Sequence, residues 1–141
     1  MKKFEFLDFA TADIAFKAYG KTLGEAFGNA GLAMFEVMFD TSKIKAKEEK
    51  KVELEGEDLK SLLFDFLSEL LYIFDVEKLI FSNFEVEVRK EGEKYKLKAS
   101  CKGEKLREGM EAKTEVKAVT YHHMEIKKED NLWVVQVVLD V

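Results

Sequence analysis

The sequence contains no proline, where average usage predicts about 7 in a protein of this length. Its loops therefore have to turn on glycine, aspartate and asparagine. One cysteine, Cys101, excludes an internal disulfide framework, a CxxC redox pair and a cysteine zinc site. That usage places the chain in the reducing cytoplasm. No apolar run approaches the roughly 18 residues of a membrane span. The N-terminal stretch MKKFEFLDFATAD is broken by Glu5 and Asp8 and lacks the apolar segment of a signal peptide. An excess of positive charge is missing too: net charge is -5 and the pI is near 5.2. This counts against the basic face that non-specific nucleic-acid binding requires. Glutamine occurs once and asparagine three times, beside 21 lysines and 20 glutamates. That bias is similar to hyperthermophile proteins, in which exposed ion-pair networks replace thermolabile amides.

What is present is an ordinary core-forming composition. The chain has 141 residues, 47% of them apolar, enough for a single domain over 1–141 with one core. No repeat, linker or low-complexity tract interrupts it. Phe4 and Phe6 alternate with charge and predict a first strand, and IAFKAY over 14–19 a second. Thr22 and Glu25 have capping-box spacing and open a helix reaching Met38. Its stripe is Leu23, Phe27, Ala30, Met34 and Met38, with costly glycines at 28 and 31. Residues 47–55 alternate lysine or glutamate with Val52 and Leu54, as an edge strand does. Residues 58–77 carry leucines and phenylalanines at 3-4-3-4 spacing and predict the strongest helix, expected at the centre of the core. Phe84, Val86 and Val88 form a hairpin with Tyr95, Leu97 and Ala99, and 114–127 a second hairpin with 132–141. Residues 102–113 read as a charged loop. The final strand is apolar almost throughout, as expected for burial on both faces. The fold class is α+β, with mostly antiparallel sheet packed on two amphipathic helices.

Chemistry-bearing residues are few. Asp13 follows Thr11 and Ala12 in the connection between the first two strands, where a lone aspartate ordinarily caps backbone N–H groups. At the other end an apolar strand closes on Asp140 and Val141. Two carboxylates one residue apart, one of them terminal, make a hard-oxygen set suited to Ca²⁺, Mg²⁺ or Mn²⁺. A strand running out to solvent explains the same aspartate. His122 and His123 are adjacent, so strand alternation sends them to opposite faces and argues against joint ligation. Lys117 shares a strand face with Glu115, as an exposed ion pair would. Cys101 continues the inward row of Leu97 and Ala99 as a small core residue. No phosphate loop, GxSxG elbow or zinc motif is present. The residues alone stop at an α+β domain with a possible carboxylate metal site.

The chain nevertheless resembles the archease family. Thr11-Ala12-Asp13-Ile14, Ala33–Met38, Leu70–Asp75, Phe81–Phe84, Glu115–His122 and Asp140-Val141 match it in order along essentially the full chain. The resemblance implies an archease-like fold and a non-catalytic accessory protein. Its expected partner is the GTP- and Mn²⁺-dependent RNA ligase of tRNA splicing, which joins cyclic-phosphate or 3′-phosphate ends to 5′-hydroxyl ends. The accessory protein promotes guanylylation and multiple turnover of that ligase. The resemblance also implies a divalent-metal site, usually calcium, on Asp13, Asp140 and Val141. Thr11, Lys117 and His122 match positions that support the site or meet the partner. The net charge of -5 argues against direct sequence-specific nucleic-acid binding, and the lack of a long apolar run against a membrane span.

Two positions depart from the family pattern. Ala10 stands where a histidine commonly precedes Thr-Ala-Asp, and Met110 is nearest to a loop histidine that is missing. A third, Ala15 for the usual glycine, is a packing difference. Two competing readings stay open. One is a general chaperone or protein-interaction module whose metal is structural. The other is a small metal-dependent hydrolase using Asp13, Asp140 and His122.

Overall fold

A computed structural model describes residues 2–8 and 13–141 of the chain. The elements run β1 (Phe4–Leu7), β2 (Ile14–Gly20), α1 (Leu23–Met38), a 3₁₀ turn (Thr41–Lys43), β3 (Glu48–Gly56), α2 (Leu59–Glu77), β4 (Leu79–Glu91), β5 (Lys94–Lys105), β6 (Ala118–Glu129) and β7 (Leu132–Asp140). They form a four-stranded sheet of order β1-β2-β7-β6 and a three-stranded sheet of order β3-β5-β4. Every described pairing is antiparallel. The class is therefore α+β with antiparallel sheets and two helices, as the patterning predicts.

Each helix begins on the side chain that its sequence offers. The Thr22 hydroxyl accepts the Glu25 N–H at 3.0 Å. The Glu25 carboxylate reaches back one residue further than a capping box requires, to the Lys21 N–H at 3.3 Å. Asp58 caps α2 through the Ser61 N–H at 2.8 Å.

The centre of the core is α1, not α2 as the apolar periodicity implies. Eleven of the sixteen α1 residues are buried, against seven of nineteen in α2. The reason is close approach. α1 packs on β2 and β7 of one sheet and on β4 of the other. A Cβ added at Gly24 would lie 2.0 Å from the Val86 carbonyl oxygen of β4. Gly28 and Gly31 bring the same face onto the Phe84 ring and its neighbours. The glycines that weaken the helix in isolation let it touch a strand backbone. The buried side chains of both sheets and both helices form one cluster, rich in edge-to-face pairs such as Phe35 with Phe81 at 5.6 Å.

Two boundaries differ from the sequence reading. β5 extends through Gly103 to Lys105, so 102–105 is strand rather than loop. Gly103 is needed there because a Cβ would sit 1.8 Å from the Ile80 carbonyl oxygen. β6 begins at Ala118 rather than 114. Residues 113 and 114 instead bond to the end of α1, with the Lys113 N–H on the Met38 carbonyl at 2.8 Å and the Thr114 N–H on that of Val37 at 3.1 Å. β7 is an inner strand with Val134–Leu139 buried on both sides, as its apolar run predicts. No described helix is long and apolar enough to cross a membrane.

Candidate metal centre

Register brings the two ends of the chain together. Ile14 of β2 pairs with Leu139 of β7. Asp13, one residue before Ile14, therefore occupies the register position opposite Asp140. On the other side of β7, Asp140 pairs with Ala118 of β6. The Lys117 N–H donates to the Asp140 carbonyl at 2.8 Å. Asp13, Asp140 and Lys117 thus converge at one end of three adjacent strands. Asp13 is half-buried, Asp140 exposed, and Val141 half-buried with its side chain packed against the core.

The donors at this end are two carboxylate side chains, with Val141 next to Asp140. Carboxylates offer hard oxygens, the chemistry that Ca²⁺ and Mg²⁺ take. The set fits such an ion. It contains only two side chains of the usual ligand types, and among the described residues no three His, Cys, Asp or Glu side chains form a metal cluster. Thr11 and Ala10 lie outside the described residues.

Lys117 is exposed and precedes β6, so the reading of it as one of a strand-face pair with Glu115 is corrected. Its side chain makes no ion pair among the described residues, while its backbone is fixed on Asp140.

The histidines depart from expectation. Between Thr120, opposite Val138, and Glu125, opposite Gln136, β6 carries three more residues than its partner. This bulge includes His123 at φ 53° and breaks the side-chain alternation. Both imidazoles are exposed, with centroids 4.1 Å apart, rather than on opposite faces. The Gln136 amide holds the bulge by donating to the His123 carbonyl at 2.9 Å. Met124 is buried beneath it. His122 is thus set back along β6 from the Asp140 end.

A cavity of about 570 Å³ lies elsewhere, between the end of α1 and residues 107–113. Phe39, Ile44 and Ile80 line it together with Arg107 and Met110, and it takes in none of Asp13, Asp140 or His122. The cleft that the hydrolase reading requires around those three residues is not at this cavity. Arg107 is held at its mouth by Glu104, which is almost fully buried and accepts from Arg107 Nε at 3.2 Å and from the Lys45 N–H at 2.7 Å. The Lys45 N–H above all, and then Arg107, hold the Glu104 carboxyl below the usual range. Burial pushes the Cys101 thiol up to about 12, so it is an inert core residue, as its inward row predicts.

One surface escaped the sequence reading. Tyr72 and Val76 of α2 and Tyr121 of β6 are exposed. Tyr121 stacks on Phe64 with centroids 4.2 Å apart and planes 6° from parallel. The signal was available in α2, since positions 72 and 76 fall outside the 3-4-3-4 apolar set.

The comparisons agree with this architecture. Residues 4–141 match the Archease protein family. A protein archease from Methanothermobacter thermautotrophicus is 51% identical over 141 residues, covering 100% of both chains. Another from Pyrococcus abyssi is 49% identical over 143 aligned positions, again with complete coverage of both. The solution structure of a Methanobacterium thermoautotrophicum protein, 51% identical, superposes with a TM-score of 0.90 over 100% of each chain. The fold also matches the crystal structure of an archease described as a possible chaperone from Thermotoga maritima. That match has a TM-score of 0.62 at 23% identity, over 93% of this chain and 92% of the other. The chain belongs to the archease family.

Proposed function

We propose that this protein is a non-catalytic, cytoplasmic accessory protein of a GTP-dependent tRNA-splicing RNA ligase. In this reading it promotes guanylylation and multiple turnover of the ligase. Asp13, Asp140 and the Val141 carboxylate hold a divalent ion, Ca²⁺ by ligand chemistry, with Mg²⁺ and Mn²⁺ compatible. The observation that carries the reading is the register of β2, β7 and β6, which sets Asp13 against Asp140 and fixes Lys117 beside them. A divalent ion there supplies positive charge that offsets the mutual repulsion of the carboxylates. The chain's own residues do the rest. Three strands hold the donors at a surface end, and Lys117, whose backbone is fixed on Asp140, is the residue offered there to the ligase or a phosphate.

The test is multiple-turnover ligation by a purified cyclic-phosphate RNA ligase, alone, with this protein, and with its Asp13→Ala and Lys117→Ala variants. Stimulation by the unaltered protein that Asp13→Ala abolishes is the expected result. Lys117→Ala lowers stimulation while leaving Ca²⁺ binding intact. A competent ligase that the folded protein does not stimulate overturns the reading for that pair.

A second reading, a general chaperone or protein-interaction module with a structural metal, is favoured by the exposed apolar residues on α2 and β6. It predicts that Asp13→Ala leaves binding of protein clients unchanged.

A further inference from the structure

The α2 surface carries an unpartnered apolar face. Tyr72 and Val76 are each 61% exposed and Tyr121 is 52% exposed. Residues 65, 69, 72 and 76 follow 4-3-4 spacing and therefore share one side of the helix. Tyr121 extends the same surface from β6 by stacking on Phe64. Asp65 lies close to it, since after burial the charges of Asp65 and Asp58 push the Tyr121 phenol up.

The charged residues that α2 places on and beside this side, between its ends, are all acidic. Asp65, Glu69 and Asp75 make no ion pair among the described residues. Several glutamates elsewhere are matched to bases, among them Glu36 with Lys113, Glu87 and Glu91 with Arg89, and Glu125 and Glu129 with Lys127. On α2 itself Glu77 is taken by Lys50. The bases of α2 sit at its ends. Lys60 lies in the first turn, and Lys78 is the C-cap, its ammonium 5.7 Å from the Phe74 ring centroid. In a chain with 21 lysines, this helix face sets exposed aromatic and aliphatic groups among carboxylates, with lysines at its two ends.

We infer that this face of α2, with Tyr121, is a docking surface for a lysine- or arginine-rich, apolar-containing segment of a protein partner. Charge complementarity selects that occupant. A second copy meeting this face with its own would bring carboxylates against carboxylates, and a nucleic acid would bring phosphates against them. Basic side chains satisfy the unmatched carboxylates and lie over the tyrosine rings. The apolar residues of the segment cover Val76 and the Tyr72 ring. Tyr121 stands three residues along β6 from Ala118, the register partner of Asp140, and the rest of the surface runs along α2. The inference rests on the reading that the protein works by binding another protein, but not on the identity of that protein.

The experiment has two arms. The first titrates a lysine- and leucine-containing amphipathic peptide into isotopically labelled protein and follows backbone amide shifts. An acidic peptide of the same apolar content serves as control. Shifts confined to 65–76 and 120–124, weakened by salt, are expected for the basic peptide only. The second arm measures binding of the purified ligase to the unaltered protein, to the triple variant Asp65→Lys, Tyr72→Ala, Asp75→Lys, and to Asp13→Asn. The triple variant changes exposed side chains only, and its melting temperature reports its folding. It is expected to lose about tenfold or more in affinity. Equal binding of basic and acidic peptides, or shifts outside this face, overturns the inference, as does ligase binding untouched by the triple variant. A ligase that fails to bind the unaltered protein while the basic peptide still binds α2 removes the ligase reading and leaves the docking surface standing.

Discussion

A methyl group added at Gly24 would meet the Val86 carbonyl oxygen at 2.0 Å, and a strand backbone cannot step aside as a side-chain tip can. In isolation Gly→Ala favours a helix by about 1 kcal/mol. Overpacking at a backbone contact costs about 3 kcal/mol, so the contact decides the sign. Gly24→Ala is expected to lower the denaturant midpoint and destabilise by about 2 kcal/mol net, while an exposed change such as Glu53→Ala leaves it nearly unchanged. Glu104 is the second residue whose surroundings override its type. Its carboxylate is almost fully buried and accepts from the Lys45 N–H and Arg107, and these partners lower its pKa. A lowered folded pKa gives stability that is fully present above the ordinary glutamate value of 4.5 and is lost as pH falls through the folded one. Glu104→Gln should therefore be less stable than the unaltered protein at neutral pH, and the gap should close in acid. Urea unfolding from pH 7 down to about pH 3 measures it.

Among the elements, α2 ends at Glu77, where its apolar spacing stops, but without a glycine to cap it. Lys78 closes the helix at φ 58° with its N–H on the Phe74 carbonyl, a left-handed position that usually belongs to glycine. Lys78→Gly relieves roughly 1 kcal/mol of backbone strain and gives up a lysine–phenylalanine contact of about 0.5 kcal/mol. A small net gain in thermal stability is expected, and a loss would mean that the contact outweighs the strain. The strands show what could be read in advance and what could not. β2, β3 and β7 were legible because alternation or a long apolar run states which faces are buried. The bulge in β6 was not. Period-two reasoning assumes one residue per rung, and three extra residues between Thr120 and Glu125 invalidate it for residues 121–124, His122 and His123 among them. The same limit hid the path of residues 113–117. Their partners are the end carbonyls of α1 and Asp140, contacts set by tertiary packing rather than by any local pattern. Asp13 and Asp140 were visible as residues, but their adjacency follows from the β2–β7 register, which depends on strands at opposite ends of the chain.

Across the whole molecule that adjacency has a thermodynamic consequence. β2 and β7 are neighbouring strands of the larger sheet, and the proposed donors exist as a set only when those strands are paired. An ion bound there binds the folded chain and not the unfolded one, so it stabilises by mass action. At a free concentration one hundred times its Kd the gain is about 2.7 kcal/mol, a rise in Tm on the order of 10 °C for a domain of this size. Scanning calorimetry with Ca²⁺ and after chelation should show that rise and its reversal. Asp140→Asn separates the proposed site from general cation effects by its sign. Without the ion, the variant removes one of the facing carboxylates and their repulsion, so its Tm should equal or exceed that of the unaltered protein. With Ca²⁺ the order should invert, because the variant has lost a ligand. A Tm that rises equally in both proteins would assign the stabilisation to screening of the net charge of -5, and the Asp13–Asp140 end would then act through its carboxylates alone.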